Sequence, residues 1–145
     1  MNHRLVSYQQ QGDIVQLTFG NGVEVEADAV IAADGVHSLI REQMLGPEAP
    51  RFTGRVAYRA TFPASLIGDL KIDDRCKWWG VDRHIVIYYT TRTRSEIYFV
   101  TSTPEPDYNL ESWSTKGDLS ELRAAYAHFH PTVRGVLEAC PEAHK

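Results

Sequence analysis

Apolar and polar positions alternate in short runs near the start of the chain. In Ile14 to Phe19, Val15, Leu17 and Phe19 share one face; in Val23 to Ala27, Val23, Val25 and Ala27 alternate with Glu24 and Glu26. A period of two is that of a strand with one buried face. Arg4 to Gln9 reads as a further strand. The junctions, Gly12-Asp13 and Gly20-Asn21-Gly22, carry residues that tolerate the positive φ of tight turns. The pattern predicts an antiparallel meander with one wet face.

At Ala29 the alternation stops. Ala29 to Ala33, AVIAA, is an uninterrupted small apolar run of the kind found in strands buried on both sides. Asp34-Gly35 ends it. Ser38 is placed to cap a helix in which Leu39, Ile40, Met44 and Leu45 keep helical spacing, and Gly46-Pro47 supplies the stop. The expectation is a buried strand, a tight turn and a helix.

From Arg55 the strand pattern returns, over Arg55 to Phe62, Lys77 to Gly80, His84 to Thr91 and Glu96 to Thr101, all rich in Val, Ile, Tyr, Thr or Trp. Pro104 to Lys116 reads as a surface loop. Asp118 with Glu121 forms a capping-box pattern ahead of a stripe of Leu119, Leu122, Tyr126 and Phe129. Pro131 fits the first turn of another helix carrying Val133, Val136, Leu137 and Cys140. The fold class is therefore α+β or α/β in two sections. Residues 1–52 hold the meander and a partial Rossmann-like strand–turn–helix; residues 53–145 hold a mixed sheet with C-terminal helices.

Composition narrows the function classes. A net charge of −4 with Lys and Arg spread along the chain gives no basic stripe, which argues against nucleic acid. No run of residues approaches the length of a membrane span, and the first residues lack a signal-peptide core, so a soluble, cytoplasmic protein is expected. Cys76 and Cys140 lie far apart outside any CxxC spacing and read as free thiols. His128 and His130 flank Phe129, but positions i and i+2 diverge on a helix, so a helix end is preferred to a metal site. Gly20-Asn21-Gly22 lacks the third glycine of a dinucleotide fingerprint. Arg92 to Arg94 reads as a solvated hairpin tip.

The segment DAVIAADGVHSLIREQMLG, Asp28 to Gly46, carries the most chemistry. A strand that delivers Asp34 to a sheet edge, a glycine that lets the backbone turn, and a helix just beyond bring amides and a carboxylate to where a nucleotide can lie. The order apolar strand, Asp34-Gly35, Ser38, Arg41 resembles the DG fingerprint of the group A FAD-dependent aromatic hydroxylases, the family of salicylate and para-hydroxybenzoate hydroxylases. GRVAYRATFP, Gly54 to Pro63, is similar to the strand that opens that family's substrate domain, with Arg59-Ala60 where Arg-Gly is usual. GVDRHIVIYYT is similar to a later strand, ending in Tyr88-Tyr89 rather than Tyr-Pro. The wording of KWWGVDRH and EIYFVTSTPEPDYNLESWS points within the family to a 6-hydroxynicotinate-like ring.

The resemblance implies FAD and NADH as cofactors, O2 as co-substrate and a small aromatic substrate. It would place Asp34 and Gly35 beside the ribityl and pyrophosphate part of FAD, Arg41 at the turn and His37 near the reductant's route. In a strand, His84, Val86 and Tyr88 share one face, while Ile85, Ile87 and Tyr89 share the other. Tyr88 is then a candidate to hydrogen-bond the substrate and serve catalysis, with His84 as an auxiliary polar group and Cys76 near the pocket wall. Structural roles compete for each: a packed sheet aromatic for Tyr88, an exposed strand-end residue for His84, a free thiol for Cys76, and a surface helix turn for His37 and Arg41.

The family also places a GxGxxG turn early and a Gly-Asp motif late; the first pattern is absent from this sequence, and the chain is expected to end before the second. The expectation is of an internal fragment that by itself neither holds FAD tightly nor hydroxylates. An AVIAA strand without neighbours is further expected to drive self-association or strand exchange. The alternative readings are a noncatalytic β-rich binding or oligomerisation module and a nicotinamide-dependent Rossmann oxidoreductase domain. The single βα unit argues against the Rossmann domain, and the Asp34-Gly35 turn with the Gly54 and His84 strands in family order favours the FAD-dependent hydroxylase fragment over both.

Overall fold

The alternating runs near the start of the chain form strands where the pattern placed them. In the computed structural model, which describes residues 2–110, 112 and 114–145, they are β1 (Leu5–Gln11), β2 (Ile14–Phe19) and β3 (Glu24–Ala27), paired antiparallel in the order β1-β2-β3. Gly12 and Gly22 take φ of 62° and 81° at the two turns, a conformation that favours glycine. Helix α1 (Leu39–Leu45) follows, capped by the Ser38 hydroxyl, which accepts from the Arg41 amide at 3.0 Å. These elements belong to one compact unit, Met1–Arg51; a second comprises Phe52–Lys145.

The buried strand expected at Ala29 to Ala33 is not formed. The segment carries no strand pairing, and Ile31 is 91% exposed. A strand apolar on both faces is held by neighbours on both edges, and the described residues of this unit supply none beside it. The backbone therefore runs as irregular chain up to the turn at Asp34.

The second unit is a sheet backed by two helices. Strands β4 (Arg55–Val56), β5 (Arg59–Pro63), β6 (Arg75–Trp79), β7 (His84–Tyr89) and β8 (Glu96–Pro104) pair in the order β4-β8-β7-β6, with β5 on β8 as well. Every pairing is antiparallel, which corrects the mixed sheet expected from the sequence. Short connections such as Gly80–Arg83 favour antiparallel neighbours, whereas parallel ones need long crossovers. The single strand read over Arg55 to Phe62 is broken between β4 and β5: the Tyr58 amide donates to Thr101 Oγ1 at 2.9 Å, while its carbonyl accepts from the Thr101 amide.

Along β8 burial alternates strictly, and Ile97, Phe99, Thr101 and Thr103 point to one side. With Ile85, Ile87, Ala60 and Phe62 they make the face covered by α2 (Leu119–Ala125) and α3 (Pro131–Ala139); Leu122, Val133, Val136 and Leu137 of these helices, and Tyr126 just after α2, are almost wholly buried. Asp118 caps α2 by accepting from the Ser120 amide at 2.7 Å, and His130 Nδ1 caps α3 by accepting from the Thr132 amide at 3.2 Å. The chain end returns to the sheet: His144 and Arg59 exchange backbone hydrogen bonds at 2.9 Å. Lys145 Nζ lies 2.6 Å from Glu105 and 3.3 Å from Glu121. The Pro104 to Lys116 segment includes Glu111 and Trp113, which lie outside the described residues.

Candidate functional site

In the first unit, Gly35 takes φ 82°, and beyond its two chain neighbours no residue has a heavy atom within 4 Å of where a Cβ would stand. The turn is thus sharp and open. The Asp34 carboxylate faces the helix: Oδ2 accepts from the Leu39 amide at 2.9 Å and the Ile40 amide at 3.4 Å. Its pKa is lowered by the Ser38 hydroxyl first and by those amides after it. The Arg41 guanidinium donates to the Val36 carbonyl across the turn. A hollow of about 330 Å³ lies beside it, lined by Val36, His37, Ser38, Arg41 and Glu42 among others.

These residues fit a flavin nucleotide in part. The turn offers open backbone at a positive-φ glycine, and a carboxylate held rigidly beside it. The first amides of α1, however, are taken by Asp34 and Ser38, so in this arrangement they do not cradle a phosphate.

In the second unit the face of the sheet opposite the helices gathers polar and aromatic side chains. Antiparallel partners share a face, so the registers His84↔Ser102, Tyr88↔Tyr98 and Thr61↔Tyr98 put these residues together. Tyr88 and Tyr98 rings stand 5.1 Å apart, and Trp79 and His84 rings 4.9 Å apart. Cations border them: Lys77 Nζ lies 3.8 Å from the Trp79 ring centroid and the Arg75 guanidinium 6.0 Å from that of Tyr88. Burial, with Lys77 and Arg55 nearby, pushes the His84 imidazole below its ordinary value. Burial, together with Tyr88, pushes the Tyr98 phenol up, against the pull of Arg59. The face therefore offers stacking surfaces, phenol hydroxyls and positive charge.

The structure brings His84 and Tyr88 to this one face. Cys76 lies elsewhere: its cross-strand partner is Ile87, so its thiol turns to the helix-covered side. The alternation of β6 that exposes Arg75, Lys77 and Trp79 necessarily turns Cys76 away from Tyr88. Asp34, Gly35, His37 and Arg41 cluster at the turn of the first unit. Sequence reading missed Tyr98, Arg75, Lys77 and Trp79 as companions of Tyr88. Alternation in EIYFVTS marks Tyr98 as facing away from the core, but its partner is set by the β7–β8 register, which no single strand reveals.

No family model matches the chain. It is 46% identical, over 146 residues and 99% of its length, to a 6-hydroxynicotinate 3-monooxygenase of Bordetella bronchiseptica (strain ATCC BAA-588 / NCTC 13252 / RB50). A 6-hydroxynicotinate 3-monooxygenase of Pseudomonas fluorescens is 38% identical over 97% of the chain. The chain spans 38% and 37% of these relatives. Among solved structures, 2,6-dihydroxypyridine-3-hydroxylase from Arthrobacter nicotinovorans shares the fold over 97% of this chain and 42% of its own, with a TM-score of 0.67 at 20% identity. Along nearly its whole length, the chain is similar to a segment of proteins named 6-hydroxynicotinate 3-monooxygenase.

Proposed function

We propose that the chain is part of an FAD- and NADH-dependent monooxygenase that converts 6-hydroxynicotinate to 2,5-dihydroxypyridine. The reaction balances when 6-hydroxynicotinate, O2, NADH and two protons give 2,5-dihydroxypyridine, CO2, NAD+ and water. One oxygen atom bonds to the ring carbon that loses its carboxylate, the other leaves as water, and NADH supplies both electrons. FAD, when bound, supplies the activation of O2 that no side chain provides.

The observation that carries this reading is the shared face of His84 and Tyr88, with Tyr98 5.1 Å from Tyr88 and cations at its border. The Tyr88 hydroxyl is suited to bond the ring hydroxyl and help remove its proton, while the aromatic rings stack on the pyridine. His84, its pKa lowered, is neutral at pH 7 and serves as a hydrogen-bonding group rather than a cation. Arg59, Arg75 and Lys77 suit the substrate carboxylate. Cys76, on the opposite side of the sheet, is left out of this role.

In this reading residues 53–145 form the substrate-binding section and residues 1–52 a partial FAD-binding segment. Asp34 and Gly35 stand beside the ribityl and pyrophosphate part of FAD, Arg41 holds the turn, and His37 is near the path of NADH. The cytoplasm, where NADH is available, is the expected location. The whole protein containing this chain is expected to purify with FAD and to oxidise NADH faster when 6-hydroxynicotinate is added. An NADH oxidation rate indifferent to that ring would overturn the substrate assignment.

A further inference from the structure

The turn between β6 and β7 is gripped from both sides of the sheet. Gly80 and Arg83 close it, the Gly80 amide donating to the Arg83 carbonyl at 2.7 Å. From the open side, Arg55 Nη2 donates to the Asp82 carbonyl at 2.7 Å and Arg55 Nε to Ser102 Oγ at 2.8 Å. From the helix side, Arg83 Nη1 donates to the Ala125 carbonyl at the end of α2 at 3.0 Å. Phe129 packs so tightly on Gly80 that a Cβ there would lie 2.8 Å from its ring.

Behind this turn Tyr126 is wholly buried, yet its hydroxyl is bonded twice. It donates to the His84 carbonyl at 2.9 Å and lies 3.1 Å from Thr103 Oγ1. Thr103 is itself buried on β8 and adjoins Ser102, the cross-strand partner of His84. A buried phenol bonded to a strand carbonyl fixes the backbone at that residue, because leaving either group unpaired is costly. The residue so fixed carries the imidazole that lies against Trp79 on the open face.

We propose that Tyr126 is a positioning residue for His84: from behind the sheet it holds the first residue of β7, and so sets where the imidazole stands on the substrate face. The hydroxyl lies on the helix side of the sheet and touches no ligand on the open face. The proposal rests on the reading above for its catalytic consequence, but not for its geometry. Small misplacements of a group at the reacting ring are enough to cost rate.

The test has two arms. In the whole enzyme, Tyr126→Phe is expected to lower kcat/KM for the ring substrate about tenfold, and to have an effect within about twofold once His84→Gln is already present. Equal losses in both backgrounds would overturn the proposal, since a general loss of structure does not vanish with His84. In the isotope-labelled 145-residue chain, Tyr126→Phe is expected to weaken the contact between the Trp79 and His84 ring protons seen by NMR, while contacts between Phe62 and Phe99 persist. Unchanged Trp79–His84 contacts would overturn it as well. If His84→Gln alone leaves turnover unchanged while the NMR arm behaves as expected, the role of His84 in the reaction fails and the positioning by Tyr126 stands.

Discussion

Tyr88 and Tyr98 face each other across β7 and β8 with ring centroids 5.1 Å apart, on the side of the sheet away from the helices. Their pairing puts two phenols where a flat ring can be held between stacking and hydrogen bonding. Replacing Tyr88 by Phe keeps the ring and removes only the hydroxyl. In the whole enzyme we expect KM for the ring substrate to rise about tenfold, the upper size of one lost hydrogen bond between neutral groups. The melting temperature is expected to stay unchanged. Steady-state kinetics beside a thermal scan checks it, and unchanged KM and kcat would remove Tyr88 from the site.

The cap of α1 depends on charge. Asp34 accepts from two amides at the start of the helix, and its pKa is lowered by Ser38 and those amides. A group with a depressed folded pKa supports the fold above its unfolded value of 3.8 and loses that support as pH falls through the folded value. Asp34→Asn is therefore expected to speed amide exchange at Leu39 and Ile40 at neutral pH. The difference from the native chain shrinks in acid, and a difference independent of pH contradicts the assignment.

How much of this was legible beforehand differs between the two units. The meander, α1, α2 and α3 follow from local rules: turn glycines, Ser38 and Asp118 as caps, Pro131 at a helix start. Ala29 to Ala33 misled because its apolar run encodes a burial that needs partners from outside the local sequence. The face shared by His84 and Tyr88 follows from the period of a strand, whereas Tyr98, Arg75 and Lys77 join it only through register. Cys76 is turned away from Tyr88 by the pairing of β6 with β7, which sets Cys76 opposite Ile87 and which a lone strand does not reveal.

His84 makes the second unit sensitive to mild acid. In the unfolded chain the imidazole gains a proton near its ordinary value of 6.5, while in the fold burial, Lys77 and Arg55 delay that gain to lower pH. The unfolded state then binds more protons in this window, so stability falls as pH drops from 6.5 toward the folded value, and does not change on this account above it. Urea midpoints of the native chain and His84→Gln should run parallel at higher pH and converge below 6.5. Parallel midpoints throughout would show that the ring is not shifted.

The core of the second unit tolerates little loss. Ile97 is fully buried between the sheet and the helices, and Ile97→Ala removes packing that this site is poorly placed to recover. Destabilisation of about 2–5 kcal/mol is expected by chemical denaturation. A value under about 1 kcal/mol would mean that the sheet and helices do not pack as described.

The 145 residues alone are expected to hold FAD weakly. They contain one glycine turn suited to it, and the neighbouring helix amides are already bonded to Asp34 and Ser38. The chain should purify colourless and show no saturable flavin fluorescence change at micromolar concentrations. A yellow protein with stoichiometric FAD contradicts this.

Isotope labelling tests the proposed reaction most directly. The whole protein, supplied with NADH, 6-hydroxynicotinate and ¹⁸O2, should release CO2 and form 2,5-dihydroxypyridine carrying one ¹⁸O per ring. NADH consumed with only hydrogen peroxide formed, or a ring product that keeps its carboxylate, would contradict the account.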